Sequence, residues 1–237
     1  TFLDFKDIFL LISTCSLFAM VPIFLLTENK LTVRDIRPSI FNQFYKSFQY
    51  SIKIPAIWLA GLLELMVYLT IYAIKAFLPL FIISQEGGTV LWAGLFFFVQ
   101  ELTHFIFRPV GGSASDRYGQ SIVIFCGMIF IALGLCTITN FPLNLILITA
   151  IFLGIGQGLI FPSSVALLSK RSNDSHLGAA MGLYGALRNL GKVIGPIGAG
   201  ILLALFDYST VFYIFAGLII FSLVSMAPFW IKSNVKS

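Results

Sequence analysis

VLWAGLFFFVQELTHFIFRPV (90–110), GGSASDRYGQS (111–121) and IVIFCGMIFIALGLCTIT (122–139) form two apolar blocks joined by a short, small-residue linker that carries Asp116 and Arg117. Each block approaches the roughly 20 residues with which a helix crosses a hydrocarbon layer of about 30 Å. Neither alternates apolar and polar residues over about ten positions, as a barrel strand does. Backbone groups in lipid must be satisfied within their own segment, so both blocks read as membrane-spanning helices. The linker is then a surface turn between antiparallel spans.

The same pattern extends in both directions. Apolar blocks occupy 8–26, 54–83, 90–110, 122–139, 143–168, 177–206 and 210–231, which predicts seven spans. Only 11% of the 237 residues are charged and 58% are hydrophobic, with a mean hydropathy of +0.96. Soluble domains carry about 25% charged residues, so a chain this poor in charge would lack the polar surface to stay dissolved. An all-α polytopic membrane protein follows, with the lipid bilayer as its first partner.

The net charge of +5 does not point to nucleic acid, because the charges lie between the apolar blocks. Lys30, Arg34, Arg37, Lys46 and Lys53 follow the first span. Arg117, then Lys170 and Arg171, then Lys232 and Lys236 share that side. The opposite connections, at 84–89, 140–142 and 207–209, contain no Lys or Arg, and only Lys6 lies at that end. Basic residues mark the cytoplasmic side, which predicts a cytoplasmic C-terminus in the cell membrane (plasma or inner). Trp58, Trp92 and Trp230 fall near span ends, where aromatic belts form.

Within the long connection, Ile40, Phe41, Phe44, Tyr45, Phe48 and Ile52 recur at three and four residues. This predicts an amphipathic surface helix leading into the second span, or an early start of that span. Cys15, Cys126 and Cys136 all lie in apolar blocks without CxxC spacing, so no metal site or disulfide framework is expected. Neither a nucleophile–base pair nor a cofactor motif is found, which argues against an enzyme. A basic leader with a small-residue cleavage site is also lacking at Thr1, and the start reads as an N-terminal truncation.

The linker Gly111-Gly112-Ser113-Ala114-Ser115-Asp116-Arg117-Tyr118-Gly119-Gln120 resembles the G-x-x-x-D-R-x-G-[RK] loop of the major facilitator superfamily, with Gln120 departing from the basic last position. In that family the loop lies on the cytoplasmic side, where the charge pattern independently puts it. Gly112 is expected to let one helix end pack closely on another, and Gly119 to allow a tight turn. Asp116 suits the positive end of a neighbouring helix, and Arg117 a carboxylate or lipid phosphate. The resemblance implies that Gly112, Asp116, Arg117 and Gly119 form a gating latch, made in one conformation and broken in the other.

Gly154-Ile155-Gly156-Gln157-Gly158 with Phe161-Pro162 resembles the family's glycine-rich tenth helix. Leu177–Leu183 and Arg188–Gly200 resemble its eleventh. Gly178 with Gly182, and Gly191 with Gly195, are small-xxx-small pairs that permit close helix approach, and Pro196 can bend the helix. By this resemblance residues 1–27 match the last helix of an N-terminal half that is otherwise missing. Residues 28–53 match the cytoplasmic link, 54–231 one six-helix half, and 232–237 a cytoplasmic tail.

Ionisable residues inside spans are costly and mark function by default. Glu64 and Lys75 are eleven residues apart on one face of the second span, about 16 Å along the axis, with Tyr68 and Tyr72 near that face. They are expected either to form a polar wall contacting solute or to pair with neighbouring helices. Glu101, His104 and Arg108 form one stripe on the third span. Glu101 and His104 are candidates for proton transfer, since imidazole titrates near neutrality. Arg108, one turn from the latch, is expected to be structural. Arg188 and Lys192 share a face of the sixth span, and Gln157 is available to bond solute or to cross-link helices. The excess of deep cations suits an anionic solute.

These features favour a secondary transporter of a small organic solute, drug-like or an organic anion, working by alternating access. Proton coupling and likeness to drug–proton antiporters are expected. No cofactor or ATP-binding loop is expected. A seven-helix receptor or sensor and an inactive half-transporter are the alternatives. A high-affinity ligand without transport favours the first of these, and a fragment lacking the opposing cavity wall the second.

Overall fold

A computed structural model of the chain describes residues 5–18, 49, 52–172 and 176–234. Every described element is helical. The helices are α1 (Phe5–Phe18), α2 (Pro55–Ser84), α3 (Val90–Tyr118), α4 (Gln120–Ile138), α5 (Ile146–Arg171), α6 (Leu177–Leu203) and α7 (Tyr208–Asn234), with a 3-10 turn at Leu143–Leu145. The chain divides into two units, Thr1–Ile40 and Phe41–Ser237. The amphipathic surface helix anticipated at 40–52, the latter part of the first span and the end of the tail lie outside the described residues.

In the first unit, α1 is apolar beyond Lys6 and Asp7 of its first turn, apart from hydroxyl residues that bond their own backbone. Ser13 Oγ donates to the Phe9 carbonyl at 2.8 Å and Ser16 Oγ to the Ile12 carbonyl at 2.9 Å. Such back-bonding satisfies a hydroxyl where no water is at hand.

In the second unit, five stretches are long and apolar enough to cross a membrane: Ile57–Ser84, Val90–Tyr118, Gln120–Ile138, Leu143–Arg171 and Tyr208–Ser225. Helix α6 has the length, 27 residues or about 40 Å. It is less apolar because one stripe carries Arg188 and Lys192 and another carries glycines. The protein is therefore a polytopic, all-α membrane protein.

The third span departs from expectation at its end. It continues two turns past Val110 to Tyr118, so Gly112–Arg117 are helical and the whole turn is one residue, Gly119, at φ +92°. That left-handed value favours glycine. Small residues at 111–115 do not break the helix because its next neighbour is close enough to demand them. The close approach is made by Gly111 rather than Gly112. A Cβ on Gly111 would stand 2.5 Å from the Gly158 carbonyl oxygen and 2.9 Å from Leu159 Cα, while one on Gly112 meets nothing within 4 Å.

Lipid tails are as apolar as leucine, so helices in a membrane associate by close packing rather than by expulsion of water. The sequence GIGQG achieves this twice over. Successive helix residues are about 100° apart, so glycines at i and i+2 face nearly opposite ways while i and i+4 share a face. Gly154 and Gly158 lie against α3, at the Gln100 and His104 carbonyls. Gly156 lies against α4, where its Cβ would be 2.7 Å from the Gly127 carbonyl oxygen. Helix α5 is thereby wedged between α3 and α4. The other tight pair is α2 with α6, where Gly191 and Gly195 sit on the carbonyls of Leu65 and Leu69. At Gly178 and Gly182, anticipated as a packing pair, a Cβ would meet nothing within 4 Å among the described residues.

Polar ties add to this. The Thr137 and Thr149 hydroxyls are 2.9 Å apart between α4 and α5, and Asn140 Nδ2 donates to Tyr213 Oη of α7 at 2.8 Å. Asp207 opens α7, accepting from Thr210 Oγ1 at 2.7 Å and Thr210 N–H at 3.2 Å. These donors hold its carboxyl below the usual aspartate range. Any stability from this cap is present above the unfolded aspartate pKa and is lost as pH falls through the lowered folded value.

Gly195→Val drives a branched side chain into the Leu69 carbonyl and is expected to cost about 1–3 kcal/mol, as overpacking does. Gly198→Ala, with open space around it, stays within about 0.5 kcal/mol of the parent. Equilibrium unfolding of the purified protein in mixed micelles measures both, and equal stability of the two variants contradicts this packing.

Candidate functional site

Four helices deliver polar side chains to one place. Helix α2 contributes a stripe at positions 64, 68, 71, 72 and 75, spaced to share one face. Helix α3 contributes Glu101, His104 and Arg108, α5 contributes Gln157 and Phe161, and α6 contributes Arg188 and Lys192. Apart from position 64, these residues line a single cavity of about 340 Å³. Seven of the eight residues singled out from the sequence are therefore neighbours: Tyr68, Lys75, Glu101, His104, Gln157, Arg188 and Lys192. The eighth, Glu64, lies in an adjoining small cleft with Val67, Tyr68, His104, Gln157, Ile160 and Phe161.

The cavity's charges are organised in two ways. Lys75 Nζ donates to Glu101 Oε1 at 2.7 Å, joining α2 to α3. His104 Nδ1 is 3.3 Å from Glu101 Oε2, so a proton on that nitrogen donates to the same carboxylate. His104 Nε2 is buried without a hydrogen-bond partner among the described residues. The other cations rest on rings. Arg108 stands 4.5 Å from the Phe161 centroid. Arg188 is caged by Tyr68, Phe161 and Tyr184 at 5.6, 5.6 and 5.9 Å. Lys192 lies between Tyr68 at 5.3 Å and Tyr72 at 5.5 Å, and these two rings stack at 6.0 Å. Ring faces carry negative potential, which holds a cation without discharging it.

Glu64 contrasts with this open arrangement. It is 0% exposed, and neither carboxylate oxygen makes a close hydrogen bond among the described residues. Tyr184, Ser164, Arg188 and Lys192 are the groups that act on it. The Tyr184 and Ser164 hydroxyls are themselves buried and are the donors nearest to it among the described residues. The two outcomes anticipated for the second span thus divide between its members: Lys75 is ion-paired to α3, and Glu64 is in no ion pair among the described residues.

Arg108, expected to be structural, lines the cavity instead, because it is one turn beyond His104 on the same face. Phe161 stands four residues after Gln157 and Tyr184 four before Arg188, and the i+4 spacing from a charged or polar anchor would have found both. Tyr72, which the sequence places near this face, also lines the cavity. The latch residues are elsewhere. Asp116 is exposed and in no ion pair among the described residues, and Arg117 lies over the Tyr118 ring at 5.3 Å. Cys126 and Cys136 are free, with Cys126 on the outer surface. No cluster with metal-ligating composition occurs among the described residues.

The Lys75–Glu101 pair is part-exposed, at 35% and 47%, so its net worth is on the order of 0.5–1 kcal/mol. Removing Lys75 alone leaves Glu101 paired only with His104. In a double-mutant cycle the Lys75→Met/Glu101→Gln variant is therefore expected to be less destabilised than the sum of its single changes. Strict additivity in thermal unfolding shows that the pair does not tie α2 to α3.

The sequence model of the Major Facilitator Superfamily matches residues 60–237 of this chain. Among curated proteins, the chain is similar to the "Uncharacterized MFS-type transporter YuxJ" of Bacillus subtilis, 25% identical over 169 residues, covering 68% of this chain and 42% of that protein. It is similar to multidrug resistance protein MdtH of Aeromonas salmonicida, 27% identical over 164 residues, covering 69% and 41%. It is also similar to multidrug resistance protein MdtG of Proteus mirabilis, 29% identical over 167 residues, covering 68% and 41%. The chain spans about two-fifths of the length of these relatives.

Proposed function

The chain belongs to the Major Facilitator Superfamily, and from that premise we propose that residues 54–231 form one wall of a secondary active transporter that moves a small organic solute across the cell membrane by coupling to protons. One observation carries this reading: four helices bring ionisable side chains, each costly in a membrane, together with aromatic ones to a single cavity of about 340 Å³. A purely structural use of these residues would pair each with a neighbour and leave no space between them.

In this reading the opposing wall comes from a further six-helix half, and the solute is exposed to alternate sides as the halves rock about the cavity. Gly112, Asp116, Arg117 and Gly119 form the latch whose making and breaking accompanies that motion. The C-terminus faces the cytoplasm. Glu101 and His104 carry the coupling proton, since the two are in direct contact and both line the cavity. A proton arriving on Glu101 releases Lys75, which changes the charge that the solute meets. Drug–proton antiport is the form of coupling that the multidrug resistance relatives suggest.

The test is solute uptake by the full-length protein in proteoliposomes under an imposed pH gradient. Glu101→Gln is expected to abolish proton-driven accumulation while leaving solute exchange in the absence of a gradient. Accumulation that still follows the pH gradient at the parental level removes Glu101 from the coupling path.

A further inference from the structure

Charge is distributed unevenly among the residues that line the cavity. Four cations face it, Lys75, Arg108, Arg188 and Lys192, against one carboxylate, Glu101. That carboxylate is already engaged by Lys75 and His104. Glu64, the other acidic group of the region, is sealed in the adjoining cleft at 0% exposure and makes no ion pair among the described residues. Arg108, Arg188 and Lys192 are likewise in no ion pair among the described residues and rest on ring faces. A ring stabilises a cation without neutralising it, so each keeps its capacity for an anion. The Arg188 Nε–H is buried with no acceptor among the described residues, a donor that a bound oxyanion would satisfy.

The apolar part of the lining is aromatic. Tyr68, Tyr72 and Phe161 border the same space as the cations, which suits a flat guest stacked beside a charged group. The volume lies at the lower end of the range of about 300–1,000 Å³ for small-molecule sites, enough for one or two rings.

We propose that the cavity binds an aromatic organic anion, a carboxylate or sulfonate, with Arg188 and Lys192 holding the charged group, Arg108 adding to the field, and Tyr68, Tyr72 and Phe161 receiving the ring. This rests on the transporter reading for the claim that the bound molecule is moved, but not for the claim that it binds. The guanidinium fork of Arg188 can offer two parallel N–H donors to an oxyanion, whereas Lys192 acts as a point charge.

The experiment is equilibrium dialysis of the full-length protein in neutral detergent against three probes: naphthalene-2-sulfonate, 2-naphthylmethylammonium and inorganic sulfate. The sulfonate is expected to bind at least tenfold more tightly than the ammonium and than sulfate. Arg188→Gln and Lys192→Gln should each weaken the sulfonate at least tenfold. Arg188→Lys should weaken it less, which separates charge from misfolding. Lys170→Gln, at the far end of α5, should leave it unchanged. Equal or tighter binding of the ammonium overturns the proposal, as does undiminished sulfonate binding in Lys192→Gln. Sulfate binding as tightly as the sulfonate overturns the aromatic part. Proteoliposomes then separate the two readings. Sulfonate that binds but is not carried contradicts transport and leaves the binding assignment standing. Carriage of the ammonium with no sulfonate binding does the reverse.

Discussion

Contact between helix backbones at glycine is the constraint on which the rest of this structure depends. In water, leucine faces would drive the helices together, but in lipid they gain little by meeting, and short interaxial distances have to supply the attraction. Gly154, Gly156 and Gly158 give α5 such contact on two opposite sides, and Gly191 with Gly195 gives α6 the same against α2. Each contact fixes rotation as well as distance. With Gly154 and Gly158 turned toward α3 and Gly156 toward α4, Gln157 and Phe161 face the cavity. With Gly191 and Gly195 turned toward α2, Arg188 and Lys192 are carried to the same space. The polar cavity is thus a geometric consequence of where glycine allows the helices to touch.

The cavity's electrostatics then separate into a paired and an unpaired part. The Lys75–Glu101–His104 chain pairs its charges internally and braces α2 against α3. Arg108, Arg188 and Lys192 are steadied by rings, which hold position while leaving the charge undischarged. Glu64 sits behind them, buried beside the hydroxyls of Tyr184 and Ser164. Two carboxylates in one region, one open and paired, the other sealed and unpaired, have distinct responses to a proton or to a solute charge.

Membrane class, helix positions and the charged members of the cavity were legible in the sequence, because apolar run length and intramembrane charge are strong local signals. The end of the third span was not. Small residues at 111–115 read as a turn, yet they serve a helix pressed against α5, and that pressure is a property of the pair rather than of the segment. For the same reason Gly111 and not Gly112 makes the contact, since one residue of helix rotation decides which glycine faces the neighbour. Gly178 and Gly182 carry the same spacing as Gly191 and Gly195 but have open space, so spacing alone does not tell a used packing face from an unused one. Phe161 and Tyr184 were overlooked as cavity or cage members because an aromatic residue in an apolar run carries no signal of its own. Their distance of four residues from Gln157 and Arg188 was the available clue.

Thiol labelling tests the central claim, that these residues share one water-accessible cavity, most directly. In full-length protein whose native cysteines have been replaced, cysteine would be introduced singly at Gln157, Lys192 and Tyr72, and at Leu135 in the core of α4. A charged, membrane-impermeant thiosulfonate reagent is predicted to modify the first three and to leave Leu135→Cys unmodified. Modification of none of the cavity positions, or of all four positions alike, would contradict the account.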